Sequence, residues 1–170
     1  MAAEKLIVAT FEPVEVGQRF KKLPMHVTMM PWLNIDSRKE AEFDRYMRVI
    51  ARKLENIYVV GQDEAMFGPE YDTKVRLVVD AVLRAVHFDI LTAANWTEAT
   101  YDERYVGENY VPHVSYTQEK RFAEGEIASV SAMQAINRGR WPSKKKKVHG
   151  VYDFGEPLDT DNIHQAILII

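Results

Sequence analysis

The pattern that most restricts this chain is a histidine-valine-hydroxyl-apolar tetrad that occurs twice, as His26-Val27-Thr28-Met29 and as His113-Val114-Ser115-Tyr116. A proline lies just upstream of each, Pro24 and Pro112. Side chains on a β-strand alternate between its two faces. Each copy, read as a strand, therefore sets imidazole and hydroxyl on one face and turns Val27 and Met29, or Val114 and Tyr116, to the other. The remaining histidines, His87, His149 and His164, have Asp89, Val151 and Ala166 two positions on, so the pattern is not a general habit of the chain. The copies sit about half a chain apart, as a duplicated fold of short apolar strands would place them. Two such faces brought together would make a site for a phosphate.

The rest of the chain supplies elements around these strands. Residues 6–11, 25–33, 57–60, 74–79, 111–117 and 148–154 read as strands, with Asn34 ending the second and Gly61 the third. Residues 66–69 read as a turn or loop. Phe43, Met47, Ile50, Ala51 and Leu54 fall on one helical stripe. Asp36 or Ser37 can cap that helix, with Glu40 placed for a capping box from Ser37. The spacing of Val79, Val82, Leu83, Val86 and Ile90 predicts a second helix over 80–95. Residues 97–109 read as a loop, 126–136 as either strand or helix, and 138–147 as a basic loop around Trp141-Pro142. The apolar end, 166–170, is expected to pack. This order fits an α+β fold, one domain over 1–170 with two pseudo-symmetric lobes, facing antiparallel sheets, helices outside and a central groove.

Composition narrows the partners. The 170 residues contain no cysteine, which removes disulfides and thiolate metal sites. Glu4 and Lys5 precede a short apolar run, Leu6 to Phe11, too short and too charged for a signal peptide, and no stretch approaches a membrane span. A cytoplasmic protein is expected. A net charge of -3 argues against a broad basic surface for long nucleic acid. A small nucleotide or a short RNA end remains compatible; the oligomeric state is open.

The two tetrads, with the flanking stretch Leu23-Pro24-Met25-His26-Val27-Thr28-Met29-Met30-Pro31-Trp32, resemble the paired H-x-[ST]-hydrophobic motifs of the two-histidine (2H) phosphoesterases. That superfamily includes LigT-like 2'-5' RNA ligases, cyclic phosphodiesterases and the phage anti-CBASS branch that degrades cyclic oligonucleotides. The resemblance spans roughly 6–157 and outside the tetrads rests on element order. It implies a substrate with a 2',3'-cyclic phosphate, a 2'-5' linkage, or a cyclic or linear oligonucleotide.

Phosphodiester chemistry needs a base for the attacking oxygen and an acid for the leaving one, and imidazole serves both near neutrality. His26 and His113 are the candidate acid-base pair, in either order. Thr28 and Ser115 would hydrogen-bond the non-bridging oxygens. No metal or cofactor is required. Tyr116, Trp32, Tyr110 and Phe67, in that order, are candidates for stacking on a base, although core packing is the commoner role of such rings. The lysine run 144–147 reads as a solvated loop, with phosphate contact as the alternative. His87 and His149 read as structural. Two rival functions share the same cleft: a nucleotide or RNA-end binding module without turnover, and RNA 2'-5' end-joining by reversal of the phosphodiester reaction.

Overall fold

The computed structural model describes residues 2–68, 70–78, 81–116, 120–139 and 145–155. Trp141-Pro142, Lys144, His164 and the apolar end 166–170 lie outside the described residues. The chain runs β1 (Ala2–Thr10), β2 (Arg19–Phe20), β3 (His26–Asp36), α1 (Glu40–Arg52), β4 (Ile57–Phe67), β5 (Thr73–Val78), α2 (Ala81–Trp96) and β6 (Thr100–Tyr101). Two short 3-10 turns, Glu103–Tyr105 and Gly107–Asn109, lead to β7 (His113–Ser115), β8 (Ile127–Val130), β9 (Ala132–Asn137) and β10 (Lys146–Asp153).

Among the described residues every strand pairing is antiparallel, and one hydrogen-bonded path links the strands in the order β2-β10-β9-β1-β3-β7-β5-β4-β8, with β6 added to β3. The fold is α+β, as the element order suggests. The two facing sheets of the sequence reading are absent from this pairing. The motif strands β3 and β7 hydrogen-bond to each other, which satisfies the backbone groups that separate sheets would leave at their edges. The halves of the sheet also exchange strands. β9 and β10, late in the chain, join β1, while β4 and β5, from its first half, join β7.

The helices cover one face. Phe43, Met47 and Ile50 of α1 and Leu83, Val86 and Ile90 of α2 pack with Ile7, Val27, Met29, Leu33, Val114 and Met133 in the main core. Burying a side chain of this size stabilises the fold by about 1.5–3 kcal/mol. Leu6, Val8, Ile136 and Val148 form a smaller cluster on the other face, covered in part by Phe20, Leu23 and Trp32. Adjacent residues of β1 thus feed opposite clusters, as strand alternation requires.

Several boundaries differ from the sequence reading. β3 continues past Asn34 to Asp36. α1 is not capped by Ser37: the Asp36 carboxylate accepts from the Arg38 backbone N–H at 2.9 Å, and Glu40 turns to the fully buried Lys5, 2.6 Å away. Neutralising a buried ammonium outweighs a capping box, since an unpaired charge there is the costlier fault. β4 runs through Gly61 to Phe67, with a register shift after Gly61, so residues 66–67 are strand rather than turn. Residues 126–136 resolve as two strands, and Lys146 and Lys147 belong to β10 rather than to a loop.

Candidate functional site

β3 and β7 place the two tetrads side by side. His26 lies directly opposite Ser115, and Val27 opposite Val114. Carrying that register one residue further sets Thr28 opposite His113. Directly opposed residues share a face, so His26, Thr28, His113 and Ser115 form a two-by-two array on one side of the sheet. Val27 and Val114, both with no exposed surface, anchor the opposite side in the core. The array is two-fold symmetric, with the histidines on one diagonal and the hydroxyls on the other. Diagonal neighbours across a ladder stand about 7–8 Å apart, a separation that lets two imidazoles reach one tetrahedral phosphate from opposite sides.

The same local bond orients both rings. His26 Nδ1 lies 2.7 Å from the Pro24 carbonyl oxygen, and His113 Nδ1 lies 2.8 Å from that of Val111, in each case two residues upstream. A carbonyl oxygen only accepts, so both Nδ1 atoms carry hydrogen, and neither Nε2 atom is hydrogen-bonded to a described residue. Neither the Thr28 nor the Ser115 hydroxyl is hydrogen-bonded to another described residue. Burial pushes the His26 pKa down to about 4, against the pull of the Pro24 carbonyl and with help from the nearby charges of His113 and Lys146. Burial also lowers His113, which its bond to Val111 partly offsets. Of the two, His26 is held neutral more firmly by its surroundings.

The aromatic candidates fall in different places. Phe67 packs edge-on against His113, with ring centroids 4.6 Å apart. Trp32 is half-buried beside the smaller apolar cluster, with the Arg138 guanidinium 5.5 Å from its ring centroid. Tyr116 sits on the core side of its strand, its hydroxyl donating to Glu64 Oε1 at 3.1 Å and to the Phe122 carbonyl at 3.2 Å. Tyr110 is buried; its ring stacks on His87 at 4.0 Å and its hydroxyl donates to the Thr28 carbonyl at 2.9 Å. Phe67 is therefore the ring in direct contact with the array, while Tyr116 and Tyr110 support the motif strands from the core side.

His87 and His149 lie away from the array. His87 is fully buried, with Nδ1 2.8 Å from the Met29 carbonyl oxygen and Nε2 accepting from the Gly107 N–H at 2.9 Å. His149 meets Asp44 at 3.2 Å and Glu40 at 3.3 Å under α1. Among the described residues no group of three histidine or carboxylate side chains comes together in a metal-binding arrangement, and no helix is long and apolar enough to cross a membrane. Lys146, merged in the sequence with a basic run, is the nearby residue that the motifs did not single out. Period-two alternation through Val148 would have placed it on the array's side of β10.

No protein-family profile and no curated protein sequence matches this chain. Solved structures do. A structure described as a phosphoesterase superimposes with a TM-score of 0.62 at 9% identity, covering 92% of this chain and 100% of that one. LigT of E. coli, solved with 3'-AMP, gives 0.59 at 9% identity, again covering 92% and 100%. TT0787 of Thermus thermophilus gives 0.61 at 8% identity, covering 89% and 98%. With superposition over about nine-tenths of its length on these structures, and its two tetrads paired at the centre of the sheet, the chain has the fold of the 2H phosphoesterases.

Proposed function

We propose that this protein is a phosphodiesterase that cleaves a small ribonucleotide phosphodiester without a metal, using His26 and His113 as base and acid. The observation that carries this reading is the array itself: two imidazoles, each fixed by an Nδ1–H bond to a carbonyl, diagonal to each other and interleaved with two uncommitted hydroxyls. Neutral His26 accepts a proton at Nε2 from the attacking oxygen, whether water or a ribose 2'-hydroxyl. Protonated His113 delivers one from its own Nε2 to the leaving oxygen. Thr28 and Ser115 donate to the non-bridging oxygens, where negative charge grows in the transition state. Phe67 keeps water from one side of His113. That LigT has been solved with 3'-AMP, NADP+ and ATP supports a nucleotide as the ligand of this fold.

The test is a substrate screen in EDTA over 2',3'-cyclic nucleotides, 2'-5' dinucleotides and cyclic oligonucleotides, with the product phosphate located by mass spectrometry and NMR. His26→Ala and His113→Ala are each expected to lower kcat by at least about a hundredfold. The double variant should lose less than the product of the two, since the residues act as a unit. Full activity in either single variant, or activity that EDTA removes and a divalent ion restores, overturns the mechanism. Tight nucleotide binding with no turnover on any substrate would make this a binding module.

A further inference from the structure

The ribbon formed by β2 and β10 is strongly basic in a chain whose net charge is -3. Pairing of Lys146 with Phe20 and of Lys147 with Arg19 brings residues 19–22 and 145–147 together, six of them cations, and neither segment contains a carboxylate. Several cations elsewhere are neutralised in place, Lys5 by Glu40, Lys74 and Arg76 by Glu64, Arg104 by Asp102, whereas others such as Arg52, Lys53 and Arg84 form no ion pair with a described residue but do not gather in a cluster of this size. On the ribbon, Arg19, Lys21, Lys22, Lys146 and Lys147 form no ion pair with any described residue.

The ribbon lies in the same sheet as the histidine array, with β9 and β1 between β10 and β3, and part of it shares the array's face. Lys147 lies opposite Asn137 and faces the helix side with it, because the Asn137 side chain meets Lys5 there. Alternation then turns Lys146 to the other side with Val148, which belongs to the apolar cluster on the array's face. Lys146 is half-buried, and its charge is felt by the His26 imidazole. Lys21 and Lys22 lead within two residues to Pro24, the carbonyl that orients His26. A half-buried ammonium with no carboxylate beside a histidine repels the imidazolium and gains nothing from its neighbours, so its natural counter-charge is an anion brought by the ligand.

Resting on the phosphodiesterase reading above, we infer that Lys146 and the β2–β10 ribbon form a second anion subsite for a phosphate of the same substrate beyond the one that reacts. The preferred substrate is then an oligonucleotide with consecutive phosphates, and a mononucleoside cyclic phosphate fills only the array. Lys146 is a specificity-determining residue on this account and takes no part in proton transfer.

The experiment compares binding of adenosine 3'-monophosphate, adenosine 3',5'-bisphosphate and a 5'-phosphorylated adenylyl dinucleotide by calorimetry at fixed salt. Wild type should bind at least one of the two larger probes about tenfold or more tightly than the monophosphate, the scale of one hydrogen-bonded charge pair. Lys146→Gln should erase that preference with a much smaller loss on the monophosphate, Lys146→Arg should keep it, and His113→Ala should retain it. A preference that survives Lys146→Gln, an equal loss on all three probes, or no preference in wild type overturns the subsite. Turnover of a cyclic mononucleotide without any preference for the larger probes fails the subsite alone. A Lys146-dependent preference without turnover of any phosphodiester fails the catalytic reading alone, and binding of none of the three overturns both.

Discussion

His26 stands directly opposite Ser115 in the β3–β7 ladder, so each histidine is flanked across the strands by the hydroxyl of the other copy. A slip of one residue in either strand would turn its imidazole and hydroxyl into the core and bring Val27 or Val114 to the surface. The valines hold the register: both are completely buried beneath the helices. The repeated valine between histidine and hydroxyl is thus the part of the tetrad that fixes geometry, while its neighbours on either side are free for chemistry.

The pH–rate profile should lie acid of neutrality. Catalysis as proposed needs His26 neutral, which holds above about pH 4. It also needs His113 protonated, which holds below its own lowered pKa, itself under the ordinary imidazole value. The kcat/KM of free enzyme should therefore form a bell between these limits and fall through neutrality. A rate that stays flat from pH 6 to pH 9 would contradict the assignment of His113 as acid.

Removing either hydroxyl should cost less than removing a histidine. Thr28→Val keeps the β-branched shape on β3 and loses only the donor; Ser115→Ala does the same on β7. Each is expected to lower kcat by about ten- to a thousandfold with a smaller change in KM, since the bond strengthens as charge develops on the phosphate oxygens. A variant that raises KM alone would assign that hydroxyl to ground-state binding.

How much of this was legible beforehand differs from residue to residue. The tetrads could be placed on strands because period-two alternation is local, and Val27 and Val114 face the core as that alternation demands. The helix stripes were legible for the same reason at period 3.6, except that Val82 of the second is exposed and Val79 lies outside the described residues. Strand partnership was not, because nothing local says that β9 will leave β8 and pair with β1, or that β4 will supply the second half of the sheet. Glu40 read as a capping residue because the sequence does not show Lys5 beneath it. Tyr110 and Tyr116 looked like base-stacking rings by adjacency to His113, yet each hydroxyl is drawn to the core side by a partner remote in sequence or hidden in a loop, the Thr28 carbonyl and the Glu64–Phe122 pair. Lys146 was hidden in a homogeneous run, where only the onset of β10 separates it from its neighbours.

Gly61→Ala should destabilise the fold without altering the chemistry. A Cβ at Gly61 would stand 2.1 Å from the Ala123 carbonyl oxygen, a backbone atom that cannot rotate aside. The close approach is held by the Gly61 N–H to Glu126 carbonyl bond and by the Gly125 N–H to Gly61 carbonyl bond, both 2.9 Å. Forcing a methyl group into that space should cost about 1–3 kcal/mol, read as a lower urea midpoint at unchanged slope. Activity per folded molecule should be near that of wild type, because the array lies on β3 and β7. An Ala variant as stable as wild type would mean that 120–126 moves away from β4 readily.

Acid should weaken the fold through His87 before the carboxylates protonate. Its Nδ1 faces the Met29 carbonyl and its Nε2 accepts from the Gly107 N–H, a pattern that only the neutral ring satisfies. Burial lowers its pKa, with the Arg84 charge adding to the effect. A histidine with a folded pKa below its unfolded value binds fewer protons when folded. Its contribution is complete above about pH 6.5 and is lost as pH falls below that value towards the folded pKa, at up to about 1.4 kcal/mol per pH unit. His26 and His113 carry shifts of the same sign, so the measurement belongs in a His26→Ala, His113→Ala background. There, urea unfolding at pH 7.5 and 5.5 should show a marked loss of stability that His87→Gln removes, at the cost of a lower stability at pH 7.5. The carboxylates whose pKa is lowered, Asp36, Asp44, Glu64 and Asp102, stay ionised across that interval. Because Met29 lies within one of the strand's two register shifts against β1 and Tyr110 stacks on the same imidazole while holding the Thr28 carbonyl, protonation of His87 should also loosen the strand that carries Thr28. Tyr110→Phe should therefore lower kcat as well as stability, the latter by about 1 kcal/mol for the lost hydrogen bond. Equal pH sensitivity with and without His87 would remove this ring from the account.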